Sequence, residues 1–125
     1  MSTITAANVV STGTLSAANL TINGSYSSVN VQISFKTADY TLANSDSGTV
    51  IFVTNTSTSN VTIPNTLPAG FRCYITRLGT GNTKFVNASG LTMLNKNSSN
   101  TINTQYGSGS VMVINTTACI IDGQI

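Results

Sequence analysis

Few side chains in this 125-residue chain are suited to acid–base or nucleophilic chemistry. The sequence has no histidine, which is the most common general base and a frequent metal ligand. Its side-chain carboxylates are Asp39, Asp46 and Asp122. The last two lie close to glycines, in turns where an aspartate commonly bonds its own backbone. We therefore expect no catalytic residue and no metal site.

Two glycine-containing stretches resemble catalytic loops only superficially. Residues 79–84 (GTGNTK) lack the Gly-Lys-Ser/Thr ending of a phosphate-binding loop, and a strand rather than a helix is expected to follow them. Residues 107–109 (GSG) lack the spacing of a nucleophile elbow and have no histidine partner. The sequence therefore favours a protein that is not an enzyme and needs no cofactor.

Charged residues make up 6% of the chain, far below the roughly 25% of ordinary soluble domains. The basic residues are dispersed and form no cluster interleaved with aromatic rings, as a nucleic-acid site would need. They are Lys36, Arg72, Arg77, Lys84 and Lys96. We expect no nucleic-acid partner and a solubility that depends on Thr, Ser and Asn.

No stretch reaches the ~20 apolar residues that span a bilayer, and no basic segment followed by an apolar run begins the chain. The sequence thus predicts no membrane partner and synthesis in a cytoplasm. In that compartment Cys73 and Cys119 are expected to be buried, reduced thiols rather than a disulfide.

Short strands separated by turn residues account for most of the chain. Residues 29–35 alternate apolar and polar, which predicts a strand with Val31, Ile33 and Phe35 on a buried face. Residues 50–53 are apolar without interruption, which predicts burial on both faces, and Pro64 predicts the end of a strand.

The second half continues this pattern. Residues 71–78 place Phe71, Cys73 and Ile75 on one side of a strand, and residues 79–82 predict a hairpin turn into the next one. Evenly spaced turns favour an all-β fold, a compact antiparallel β-sandwich or barrel. The candidate core residues are Val31, Ile33, Val50, Phe52, Ile75, Phe85, Val111 and Val113.

The chain begins with a duplicated phrase, TITAANVVSTG (residues 3–13) and TLSAANLTING (residues 14–24). Its β-branched residues and closing glycines disfavour a helix. We interpret residues 1–24 as an extended N-terminal arm and residues 25–125 as the body, although residues 1–24 could instead be two strands of the same domain. An arm would contact a subunit or shell protein through its apolar side chains, which are Ile4, Val9, Val10, Leu15, Leu20 and Ile22.

Residues 39–125 carry a set of turn and strand signals that can be compared with a known pattern. The signals are YTL…D.G, a VTIP edge, a G…I…G.G…F…G stretch and a terminal glycine. The matching positions are Tyr40, Thr41, Leu42, Asp46, Gly48, Val61, Thr62, Ile63, Pro64, Gly70, Ile75, Gly79, Gly81, Phe85, Gly90 and Gly123. This pattern resembles a module of virion-surface proteins of tailed bacteriophages, in which Cys119 would replace the usual terminal tryptophan.

The resemblance implies a structural virion protein, made in the host cytoplasm and commonly a homotrimer. Within that class we expect a capsid decoration (cement) protein on the capsid surface, with the major capsid protein and itself as partners. A fibre or receptor-binding module is the first alternative. A lectin-like carbohydrate-binding module is the second, for which the chain offers Tyr26, Tyr40, Tyr74 and Tyr106 but no tryptophan.

Overall fold

The computed structural model describes residues 10, 12–14, 16, 18–19 and 30–125. These residues contain ten β-strands and a three-residue 3-10 helix, Asn44–Asp46, but no α-helix, so the all-β prediction is confirmed. The strands are β1 (Ile33–Lys36), β2 (Tyr40–Thr41), β3 (Val50–Val53), β4 (Ser59–Ile63), β5 (Arg72–Arg77), β6 (Thr83–Asn87), β7 (Thr92–Leu94), β8 (Thr101–Ile102), β9 (Ser108–Asn115) and β10 (Ala118–Gly123).

The first eight strands alternate between two sheets as the chain advances. One sheet has the order β1-β3-β5-β9-β10-β7 and the other has the order β2-β4-β6-β8. Neighbours among β1 to β6 pair in parallel, so these strands form three stacked coils of a solenoid-like arrangement. The antiparallel pairing predicted from the sequence is wrong for this part. It holds for β9 with β5 and β10, and for β8 with β6.

The second and third coils stack with one register in both sheets. Val50 pairs with Tyr74 in the six-stranded sheet, and Val61 pairs with Phe85 in the four-stranded sheet, an offset of 24 residues in each case. Because the offset is the same on both sides, the corners between the sheets also lie directly over one another.

The predicted hairpin at residues 79–82 is wrong, because this segment leads from β5 in one sheet to β6 in the other. Its glycines serve close stacking rather than chain reversal. A Cβ atom on Gly79 would lie 2.1 Å from the carbonyl oxygen of Asn55, and one on Gly81 would lie 2.0 Å from that of Ser57. Only glycine permits this approach of two backbones.

Arg77 closes the same corner with its guanidinium, although its side chain is buried. Nε donates to the carbonyl oxygen of Gly79 at 3.1 Å and Nη1 donates to Oδ1 of Asn82 at 2.9 Å. Nη2 donates to the carbonyl oxygen of Thr80. A buried charge is tolerated here because several hydrogen bonds satisfy it.

The core lies between the two sheets and is built from alternate residues of both. The buried apolar residues are Leu42, Ile51, Val53, Val61, Ile63, Leu67, Phe71, Cys73, Ile75, Phe85, Leu91, Ile102, Val111, Val113, Cys119 and Ile121. The sequence-based prediction of burial is thus confirmed for Phe71, Cys73 and Ile75, and β4 ends immediately before Pro64 as predicted.

Some residues that the sequence assigns to the core lie on the side of the sheet that points away from it. Ile75, Phe85, Val111 and Val113 are buried, but Val50 and Phe52 are only half-buried. Val31 and Ile33 are each 58% exposed, and Phe35 is 59% exposed. Alternation in the sequence shows which residues share a face, but the pairing of β1 with β3 determines that this face points away from the core.

The two arginines of β5 allow a matched test of the corner. We expect Arg77→Met to lower the free energy of unfolding by about 3 kcal/mol, because two carbonyl oxygens lose their donor. Arg72→Met, on the exposed side of the same strand, should cost less than about 1 kcal/mol. Urea unfolding followed by circular dichroism measures both, and equal effects would contradict this role of Arg77.

Candidate interaction surface

The side of the six-stranded sheet that points away from the core is here called the outer face. One row of paired residues crosses it from β1 to β10: Ile33, Val50, Tyr74, Ser110 and Asp122. Their sequence neighbours on the longer strands point into the core, as the alternating burial shows. The outer face is therefore a continuous surface of five paired strands, extended by β7 at its far edge.

Most of the large apolar side chains that are exposed among the described residues lie on the outer face or directly before it. They are Val31, Ile33, Phe35, Tyr74, Leu94, Ile114 and Ile120, whereas Val10 and Tyr106 lie outside the strands of this sheet. The rings of Phe35 and Phe52 stack with their centroids 5.4 Å apart, which widens the apolar surface across β1 and β3. An apolar area of this extent indicates an interaction site, because solvated sheet faces are normally polar.

A cleft of about 300 Å³ lies near the middle of the outer face. It is lined by Arg72, Tyr74, Ser108, Gly109, Ser110, Asp122 and Gly123. The guanidinium carbon of Arg72 lies 5.1 Å from the centroid of the Tyr74 ring and covers part of it. The cleft thus combines one positive and one negative side chain with small hydroxyl groups, between apolar margins on both sides.

Strand β1 forms one edge of the sheet and pairs with β3 on its inner side. The predicted arm precedes this edge in the chain. Of its apolar residues Val10 is described, and its side chain is 85% exposed. The other predicted contact residues, Ile4, Val9, Leu15, Leu20 and Ile22, lie outside the described residues, as does Tyr26. The role of the arm stays a prediction.

Asp46 is a buried carboxylate, but its bonds are those of a turn. Its Oδ2 accepts a hydrogen bond from the Tyr40 hydroxyl at 2.7 Å and one from the Ala43 amide at 2.8 Å, while Thr49 Oγ1 donates to its carbonyl oxygen at 2.7 Å. Burial, and next the hydrogen bond to Asp46, raise the pKa of Tyr40 to about 12. The YTL…D.G signal therefore builds the corner between β2 and β3.

The other carboxylates also bond to backbone amides. Asp39 Oδ1 accepts from the Asn60 amide at 2.9 Å, and Asp122 Oδ1 accepts from the Gly123 amide at 2.8 Å. Within the described ranges, no group of three or more His, Cys, Asp or Glu side chains is placed to hold a metal ion. In the same ranges, no helix has the length and apolar character needed to cross a membrane.

Both cysteines are free thiols buried in the core, as predicted. Cys73 on β5 and Cys119 on β10 are separated by β9, where Val111 and Val113 face them. Two strand spacings are about 9.6 Å, beyond the Cα separation of at most ~7 Å that a disulfide bridges. Burial raises the pKa of each thiol to about 11, so neither is suited to nucleophilic chemistry near neutral pH.

The outer face was missed as a site in the sequence because its first residues were assigned to the core. The signal that could have found it is the unbroken apolar run at residues 50–53, which predicts a sheet covered on both sides. Comparison with known protein families, with curated proteins and with solved structures gives no match to this chain.

The raised thiol pKa values predict an alkaline limit to stability. A group whose pKa is higher in the folded than in the unfolded protein stabilises the fold fully below its unfolded pKa, and this contribution is lost as the pH rises toward its folded pKa. We therefore expect the free energy of unfolding to fall between pH 9 and pH 11, which denaturant titrations at a series of pH values measure. Replacing both cysteines by alanine should flatten the curve between pH 9 and pH 10, below the range in which Tyr40 adds its own effect. An unchanged slope would contradict the assignment to the thiols.

Proposed function

We propose that this protein is a capsid decoration protein of a tailed bacteriophage. In this proposal it is made in the host cytoplasm and stabilises the head as surface homotrimers, with the major capsid protein as its partner. The observation that carries the proposal is the apolar outer face, which reaches the edge strand β1 where the chain enters the body. A surface of this kind is suited to association rather than to catalysis.

In this proposal the arm binds the capsid shell. Twenty-four extended residues reach up to roughly 80 Å, well beyond the radius of a domain of this size. The arm has no charged side chain, so a free arm would be an aggregation hazard. Strand addition to a shell protein removes that hazard, because backbone hydrogen bonds and apolar contacts then cover it.

The resemblance to virion-surface proteins gives independent but coarser support. Its signals occupy structural positions: Asp46 holds one corner, and Gly79 and Gly81 permit the stacking at another. These positions therefore concern the fold and do not distinguish a decoration protein from a fibre module. The copy number per particle distinguishes these two roles, since a decoration protein is present in hundreds of copies and a fibre protein in few.

Removal of the arm tests the proposal directly. We expect a variant lacking residues 1–24 to fold, because the buried core of β3 to β10 stays intact, and to lose most of its occupancy on capsids stripped of their decoration layer. Changing the ionic strength should have little effect, because the arm carries no charged side chain. Occupancy is measured by quantitative gel after sedimentation of the capsids.

A pair of point variants controls for the deletion. Val10→Asp places a charge on an exposed apolar arm residue, and Ser16→Asp places the same charge on an exposed polar one. Val10→Asp should reduce occupancy more than Ser16→Asp. Equal occupancy of full-length and truncated protein would remove the arm from the mechanism, and unfolding of the truncated form would assign residues 1–24 to the domain's own sheet.

A further inference from the structure

The outer face has the dimensions of a subunit interface. Six strands at about 4.8 Å spacing give a width of about 24 Å, and strands of three to eight residues give a face of the order of 500 Å² in projection. A stable interface buries roughly 800 Å² of accessible surface on each partner, and a pleated face exposes more than its projection. The face is thus large enough to supply most of one side of such an interface.

Its charge pattern favours a partner with the same surface. Among the strand residues of the outer face the charged ones are Arg72 and Asp122, one of each sign, and both line the central cleft. A partner with a strong net charge would find no complementary field here, whereas a second copy presents the same two opposite charges. The apolar margins, Phe35 on one side and Ile120 on the other, are likewise suited to each other.

From these observations we infer that the outer face of the six-stranded sheet is the surface through which copies of this chain associate with one another. This assigns the contact surface of the proposed homotrimer, yet it concerns the isolated protein and does not depend on its location in a virion. The occupant of the face is a second copy of the chain, and association covers Phe35, Tyr74 and Ile120 and closes the central cleft.

Matched charge insertions test the inference. Phe35→Glu and Ile120→Glu each place a carboxylate on an apolar margin of the face, and Tyr106→Glu makes the same change at a side chain that is 70% exposed in the turn before β9, outside the strands of the face. Light scattering and analytical ultracentrifugation of the purified full-length proteins, over a range of micromolar concentrations, measure association. Each face variant should weaken association at least 100-fold while its circular dichroism spectrum stays native. Tyr106→Glu should associate as the unmodified protein does.

A second measurement needs no variant. Hydroxyl-radical footprinting of the unmodified protein above and below its association concentration should show protection of Phe35 and Tyr74 on assembly, and no change at Tyr106. A monomer at micromolar concentration, or association of both face variants at the unmodified strength, would overturn the inference, as would unchanged labelling of Phe35 and Tyr74.

The result is separable from the proposed function. Association through the face by a protein that does not bind capsids refutes the decoration role and supports the inference. Binding of capsids by a protein that is monomeric in solution supports the decoration role and refutes the inference. A dimer that depends on the face supports the inference and refutes the trimer.

Discussion

The close contact between successive corners controls how the coils of this fold stack. Parallel coils stack at the strand spacing only if the segments between the sheets also approach to that distance. At the corner after β5 this brings Gly79 and Gly81 onto the backbone of Asn55 and Ser57, and Arg77 binds the segment from inside. A side chain at either glycine would separate the corners and break the common register of the two sheets.

In the part of the chain that the structure describes, the stack of coils is capped at one end and not at the other. β9 pairs antiparallel with β5, and β8 pairs antiparallel with β6, so a fourth parallel coil finds no place there. Stacked-repeat proteins need such capping elements because an uncovered coil exposes both its core and its strand edges. At the opposite end, β1 has no comparable antiparallel cap among the described residues. Among the described residues the two ends of the stack therefore differ, and the end without an antiparallel cap is the one that the N-terminal segment precedes.

The sequence predicted strands and their alternation well because both depend on local chemistry. The positions of Phe71, Cys73 and Ile75 follow from period-two burial. The strand ends just before Pro64 because proline has no backbone N–H to donate to a neighbouring strand. Sheet membership depends on long-range pairing, which turn residues do not encode. Gly79 and Gly81 are compatible with a hairpin and with a stacked corner alike. The same limit concealed the outer face, since Ile33 and Phe35 alternate correctly but face away from the core.

The scarcity of charge and the apolar outer face are two aspects of one property. Ordinary domains keep an exposed apolar surface from associating by surrounding it with charged residues. Here the strand residues that lie on the outer face include one arginine and one aspartate as their charged members, and the exposed polar surface elsewhere is largely Ser, Thr and Asn. Neutral hydroxyl and amide groups hydrate the protein but oppose association only weakly, because they produce no long-range repulsion. A chain of this composition is suited to a fixed place in an assembly, where the apolar face is covered by a partner and the neutral polar surface remains in contact with water.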